Sequence, residues 1–257
     1  MSGVQDTAAF DARPGSRLRG ALALLPAALF GFAYPAYAIL YSIVAPRRFR
    51  ERRYRMLRCF GRGMLRILGV RVEEHGSEHV RAPGPKLVMF NHVSLLDLFV
   101  LASVWPDGGT VLYKKEFHRV PVIGRGMRLM DFIAVDRENR ERAFQSIEEA
   151  AARVRARGVA VLVAPEGTRS RHGGLQEFKM GPFHLAVATR APVVPMIQRG
   201  IEQLQPMGAW LVRPGRARID YLEPISTESW TRDQVKQRAP EVRARFLRYL
   251  PPAPGTS

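Results

Sequence analysis

Between Arg19 and Arg47 the chain carries no charge, and the 20–46 run is dominated by Ala, Leu, Phe, Ile and Tyr. So long an apolar stretch has few folded solutions. In lipid its amides must pair within the segment, which makes it a helix, and it exceeds the ~20 apolar residues that cross a bilayer. Pro26, Gly31 and Pro35 interrupt the run, so two shorter apolar pieces around a bend are expected, either a kinked span or a helical hairpin dipping into one leaflet. The competing reading is a buried helix of a soluble protein. Ala36-Tyr37-Ala38 resembles a signal-peptide cleavage site, but apolar sequence continues through Val44 and arginines follow at once, which argues against processing there.

Arg47 to Arg71 holds ten arginines against the single Glu51, a net +9 within a chain of formal charge +17. A charge so concentrated implies a polyanionic partner. Arg55, Arg58, Arg62 and Arg66 recur at helical spacing, while Leu57, Phe60, Met64, Ile67 and Leu68 fall largely on other faces, the pattern of a basic amphipathic helix. Lying in the headgroup layer of an anionic membrane, it would make contact through Arg55, Arg58, Phe60, Arg62 and Met64. No zinc spacing, aromatic RNA-binding signature or basic zipper accompanies the arginines, so nucleic acid is not the expected partner. The positive-inside rule places the rest of the chain in the cytoplasm, at the face of the inner membrane.

From Lys86 onward, short runs rich in Val and Ile alternate with helical patterns. Strands are expected at 86–91, 110–114, 132–135, 160–164, 193–198 and 217–222. Helices are expected at 94–104, 140–157, 182–189 and 231–248, with Phe144, Ile147, Ala151 and Val154 as one apolar stripe. This alternation indicates an α/β domain around a mixed, largely parallel sheet flanked by helices. The domains are then a membrane-associated helical segment over 1–75 (apolar 20–46, basic 47–72), the α/β domain over 76–250 and a tail over 251–257. The single Cys59 excludes an internal disulfide and any multi-cysteine metal site. His75 and His79 have helical ligand spacing but no third ligand in view, so no metal is expected.

Asn91-His92 follows the apolar run at Leu87 to Phe90, and Asp97 comes five residues after the imidazole. A neutral histidine takes a proton from a hydroxyl near neutral pH, and a carboxylate on its other nitrogen fixes the tautomer and stabilises the imidazolium that forms. Inside one helix the two side chains would diverge by about 140°. They converge if His92 lies in the turn after a strand and Ser94 caps the next helix. Two further loops carry phosphate-binding chemistry at strand ends: Pro165-Glu166-Gly167-Thr168-Arg169-Ser170, and Phe178-Lys179-Met180-Gly181 before a helix. Asp136-Arg137 closes another strand in the same way.

Taken in order, these blocks resemble the glycerolipid acyltransferases, the lysophosphatidic acid acyltransferases in particular. The resemblance covers 85–225. It rests on Asn91-His92 with Asp97, on Lys114-Lys115-Glu116 through Pro121, Gly124 and 132–137, on 165–170, on 178–181 and on Val194-Pro195. It implies transfer of a fatty acyl group from a thioester, either acyl-CoA or acyl carrier protein, to the sn-2 hydroxyl of 1-acylglycerol 3-phosphate, giving phosphatidic acid without a cofactor. His92 matches the general base and Asp97 the residue that orients it. Asn91, Glu166, Gly167, Thr168 and Arg169 would shape the acceptor site, and Arg137, Lys115 and Lys179 would meet its phosphate. Val194-Pro195 would line the site or the acyl path. Ala164 stands where the family commonly has Phe, which alters local pocket shape. A related acceptor, such as a lyso-ornithine lipid or another lysophospholipid, fits the same motifs. Acyl-chain length, the choice of donor and the oligomeric state are left open.

Overall fold

The computed structural model describes residues 10–135, 140–169 and 174–251. The apolar run forms one continuous helix, α1 (Arg17–Val44), which passes through Pro26 and Pro35. The expected break is therefore absent. Each proline removes one amide from the i→i−4 ladder, and Gly31 serves close packing rather than a bend, since a Cβ there would sit 3.3 Å from the Met64 side chain. The chain turns instead at Ala45 and enters α2 (Pro46–Leu68), which has Pro46 in its first turn and ends on Gly69 at φ +70°. Tyr41 packs on Phe49, Tyr34 donates to the Met56 carbonyl and Phe30 stacks on Phe60. Steps back along α1 are thus steps forward along α2, and the pair is an antiparallel hairpin whose second arm is the arginine-rich helix.

After α2 come β1 (Val70–His75), α3 (Glu78–Arg81), β2 (Lys86–Phe90), α4 (Leu96–Ser103) and β3 (Thr110–Lys114). A 3-10 turn (Lys115–Arg119), α5 (Pro121–Leu129), β4 (Ile133–Val135), α6 (Arg140–Arg157) and β5 (Ala160–Val163) follow. The remainder is α7 (Gly181–Thr189), β6 (Val193–Arg199), α8 (Ile201–Leu204), β7 (Gly215–Tyr221) and α9 (Val235–Leu247). Among the described residues seven strands form one sheet in the order β1-β7-β6-β2-β5-β3-β4, parallel except between β6 and β7.

β1 is not among the expected strands. It pairs with β7 from Val70↔Gly215 to His75↔Asp220, so the α/β body begins at Val70, not at residue 76. The 10–15 segment also docks on this edge: the Ala12 carbonyl accepts from Arg216 N and Gly15 N donates to the Pro214 carbonyl.

β2 is the central strand and is buried throughout. Val88 and Phe90 join the core on the α1, α2 and α4 side, while Leu87 and Met89 face the core under α6, α7 and α9. Period-two alternation thus feeds apolar groups to both faces, as a sheet covered on both sides requires. From β2 the chain moves to β3 on one side, and after β5 it crosses to β6 on the other. Such a reversal leaves a crevice beyond the carboxyl ends of the central strands, the usual seat of a ligand site in open α/β sheets.

Candidate active site

His92 lies just past β2, in the turn before α4, as convergence with Asp97 requires. His92 Nδ1 lies 2.7 Å from Asp97 Oδ2. The same carboxylate oxygen accepts from Val93 N at 2.6 Å and Ser94 N at 3.0 Å. Its three partners point donors at one acceptor, which assigns the hydrogen of the pair to Nδ1 and leaves Nε2 with its lone pair. Asp97 is fully enclosed, whereas 22% of the His92 side chain is exposed. The acid is thus shielded and the imidazole is reachable.

Asp97 also settles how α4 begins. Ser94 is the expected cap, but the helix starts at Leu96 with Leu95 in the capping position and no side-chain cap bond from it. The Asp97 carboxylate reaches back to the turn amides instead, much as the last member of a capping box does. Leu96 N is satisfied by Ser94 Oγ at 3.1 Å and by Gln205 Oε1 at 2.8 Å.

Two buried polar residues hold the His92 main chain. Asn91 donates through Nδ2 to the Gln198 carbonyl and accepts from Gln198 N through Oδ1, and Gln198 Nε2 donates to the Asn91 carbonyl. Asn91 is therefore a clamp between the ends of β2 and β6. Glu166, beyond β5, accepts from His92 N at 3.0 Å with Oε1 and from Gln176 N at 2.9 Å with Oε2. Burial pushes the Glu166 carboxyl up from its usual range, and the two main-chain hydrogen bonds oppose that shift. Its oxygens are spent on bracing the 166–176 loop against the His92 turn. Gly167 takes φ +77° in the turn that follows, where any side chain would be strained.

The other expected site residues are more dispersed. Thr168 and Lys179 are exposed, and Arg169 is half-buried, with its carbonyl accepting from Gln176 Nε2. Lys179 N donates to the Pro165 carbonyl, which ties the Phe178–Gly181 block to the Pro-Glu-Gly block. Lys115 is exposed at the start of the 3-10 turn. Arg137 lies outside the described residues. Val194 and Pro195 are both buried within β6. A cleft of about 840 Å³ has Asn91, Val93, Glu166, Gln198, Arg199 and Pro206 in its wall, the first two flanking His92 in sequence, while His92 and Asp97 themselves do not line it.

Of the five residues expected to meet a membrane, Arg55 and Arg62 are exposed. Arg62 also donates to the Ser103 carbonyl. Arg58 pairs with Asp107 and donates to the Trp105 carbonyl. Phe60 packs between Phe30 and Phe99, and Met64 is only 3% exposed. The apolar stripe of α2 is thus consumed by α1 and α4. The exposed apolar face belongs to α1, where Leu18, Leu22, Leu25, Leu29 and Phe32 are each at least 63% exposed. That helix is long and apolar enough to cross a membrane.

An imidazole held by an enclosed carboxylate at the carboxyl end of central strands is an arrangement suited to activating a hydroxyl. A sequence model of the acyltransferase family matches residues 71–199, and the chain belongs to that family. It is 35% identical over 185 residues to the 1-acyl-sn-glycerol-3-phosphate acyltransferase of Limnanthes douglasii, covering 72% of this chain and 65% of that one. Identity is 33% over 232 residues with the protein of the same description from Saccharomyces cerevisiae, covering 90% and 76%. The crystal structure of the 1-acyl-sn-glycerophosphate acyltransferase PlsC from Thermotoga maritima shares the fold, with a TM-score of 0.73 over 89% of this chain and 96% of that one at 23% identity.

Proposed function

We propose that this protein transfers a fatty acyl group from a thioester to the sn-2 hydroxyl of 1-acyl-sn-glycerol 3-phosphate, with His92 as the general base. The observation that carries the reading is the 2.7 Å contact between His92 Nδ1 and a fully enclosed Asp97, which leaves Nε2 as acceptor for a hydroxyl proton. The descriptions of the relatives supply the acceptor. As the hydroxyl oxygen bonds to the thioester carbonyl carbon, its proton passes to Nε2. When the tetrahedral adduct collapses, the carbon–sulfur bond breaks and the thiolate takes that proton from the imidazolium. A thioester is already activated, so the demands on the protein are positioning, a base and donors for the developing oxyanion, and no cofactor is needed. The donor is acyl-CoA or acyl carrier protein.

The outward apolar face of α1 supports seating at a membrane, and the arginines of α2 directly after it favour the cytoplasmic side of the inner membrane for the catalytic body, by the positive-inside rule. The test is purified protein with labelled acyl-CoA or acyl carrier protein and a panel of lyso-lipid acceptors, beside His92→Ala. Acylation of 1-acylglycerol 3-phosphate is expected, lowered about 10²- to 10⁴-fold in the variant. Acylation of no acceptor with either donor would refute the reading, and preference for a lyso-ornithine lipid would redirect it.

A further inference from the structure

Trp210 is 86% exposed, whereas Trp105 and Trp230 are only 6% and 8% exposed. An indole held in water forgoes a large apolar burial, so its setting matters. It sits in the loop between α8 and β7, and that loop is fastened on both flanks. On one, Gln205 Nε2 donates to the Ala209 carbonyl while Gln205 Oε1 accepts from Leu96 N, next to Asp97. On the other, the backbone closes on α1: a Cβ added to Gly20 would meet the Val212 carbonyl oxygen at 2.4 Å and Leu211 at 3.3 Å. Arg213 donates to the carbonyls of Gly15 and Pro14, just before α1 begins. The loop is therefore built to hold Trp210 and the 38%-exposed Met207 outward, beside the first turns of α1. There Leu18 and Leu22 are 70% and 69% exposed, and Arg17 and Arg19 are exposed too. Pro206, in the same loop, belongs to the wall of the cleft that also contains Asn91 and Glu166.

We propose that the 206–211 loop is a second membrane contact, with Trp210 seated at the headgroup level of an anionic phospholipid bilayer. The inference rests on the reading of α1 as a membrane helix. The loop is fastened to the first turns of α1, which brings Trp210 to the lipid that this helix would meet, and the indole, apolar in body with one N–H, is suited to the boundary between headgroups and acyl chains. Flanking arginines complete the match to anionic headgroups.

Brominated phospholipids test this. A chain carrying Trp105→Phe and Trp230→Phe reports Trp210 alone, and where those changes impair folding, the difference between the wild-type and Trp210→Ser spectra isolates the same emission. With phosphatidylcholine–phosphatidylglycerol vesicles, Trp210 emission is expected to shift to the blue and be protected from iodide. Bromines high on the acyl chains should quench it more than bromines near the bilayer centre. Trp210→Ser should need severalfold more lipid for half-maximal binding. If the chain floats with vesicles while Trp210 stays as iodide-accessible as in buffer, the loop proposal fails and the α1 reading survives. If the chain does not float, both fail. A blue shift that grows with protein concentration in the absence of lipid would assign the surface to a second copy and overturn the proposal.

Discussion

The hydrogen-bond pattern at Asp97 separates two jobs that one carboxylate performs. Because His92 Nδ1, Val93 N and Ser94 N all meet Oδ2, an amide oxygen in that place accepts from the same three donors. Asp97→Asn should therefore keep the turn and the tautomer and lose the charge that stabilises the imidazolium, while its NH2 takes the buried place of Oδ1, which has no hydrogen-bond partner among the described residues. Hydrogen bonds to charged groups exceed neutral ones by ~1–2 kcal/mol, so kcat should fall about 5- to 30-fold. Asp97→Ala also orphans two main-chain amides, at ~1–3 kcal/mol each, and should lower the melting temperature as well as activity. Wild-type activity in Asp97→Asn beside a loss in Asp97→Ala, in kinetics beside thermal melts, would show that the carboxylate is only a structural cap. Glu166 makes a pH prediction. Its carboxyl is raised in the fold, so between the ordinary carboxylate pKa and the raised one the folded chain binds more protons than the unfolded chain. Its contribution to stability is present at low pH and is lost as pH rises through that window. Melting curves from about pH 4 to 7 should show this decline in the wild type and a flatter profile in Glu166→Gln.

At the scale of elements, the seat of α2 depends on one glycine. A Cβ at Gly61 would lie 2.4 Å from Ser103 N and 2.7 Å from the Phe99 carbonyl oxygen, both main-chain atoms of α4 that no rotamer change moves. Gly61→Ala should separate the helices and destabilise the fold by about 1–3 kcal/mol. At Gly126 in α5 no atom of the described residues lies within 4 Å of the added atom. Gly126→Ala should be neutral or stabilising by up to ~1 kcal/mol, and parallel melts of the two variants check the contrast. What the sequence reveals divides along the same line between local and distant contacts. His92 and Asp97 are five residues apart, so a strand, a turn and a helix start suffice to bring them together. Most of the strands and the longer helices follow from apolar periodicity. The Asn91–Gln198 clamp joins residues 107 apart, and no pattern near either one signals it. β1 escapes notice because the alternation in Val-Arg-Val-Glu-Glu-His is brief and follows directly on an arginine-rich helix. α5 escapes because Gly124 and Gly126 weaken its helical signature. The burial of Phe60 and Met64 depends on which helix covers α2, a tertiary fact that amphipathicity alone does not contain.

At the scale of the molecule, apolar surface and charge occupy different arms of the α1–α2 hairpin, and each arm implies a different response to salt. α1 turns Leu22, Leu25, Leu29 and Phe32 outward, while the exposed arginines of α2 include Arg47, Arg48, Arg50, Arg52 and Arg55. Attraction of basic residues to an anionic surface, ~1 kcal/mol each, is screened as the Debye length falls from ~8 Å at physiological ionic strength to ~3 Å at 1 M. Burial of leucine side chains in lipid is not screened. Flotation with anionic vesicles should therefore persist at high salt for the wild type, even though the rate of association slows. The triple variant Leu25→Ser, Leu29→Ser, Phe32→Ser removes apolar groups that make little contact within the fold, since these side chains are 63–80% exposed. It should melt within a few degrees of the wild type, bind vesicles at low salt through the arginines, and be released at high salt. Retention of the triple variant at high salt would mean that the α1 face is not the anchor, and release of the wild type under the same conditions would mean that charge alone holds the protein to lipid.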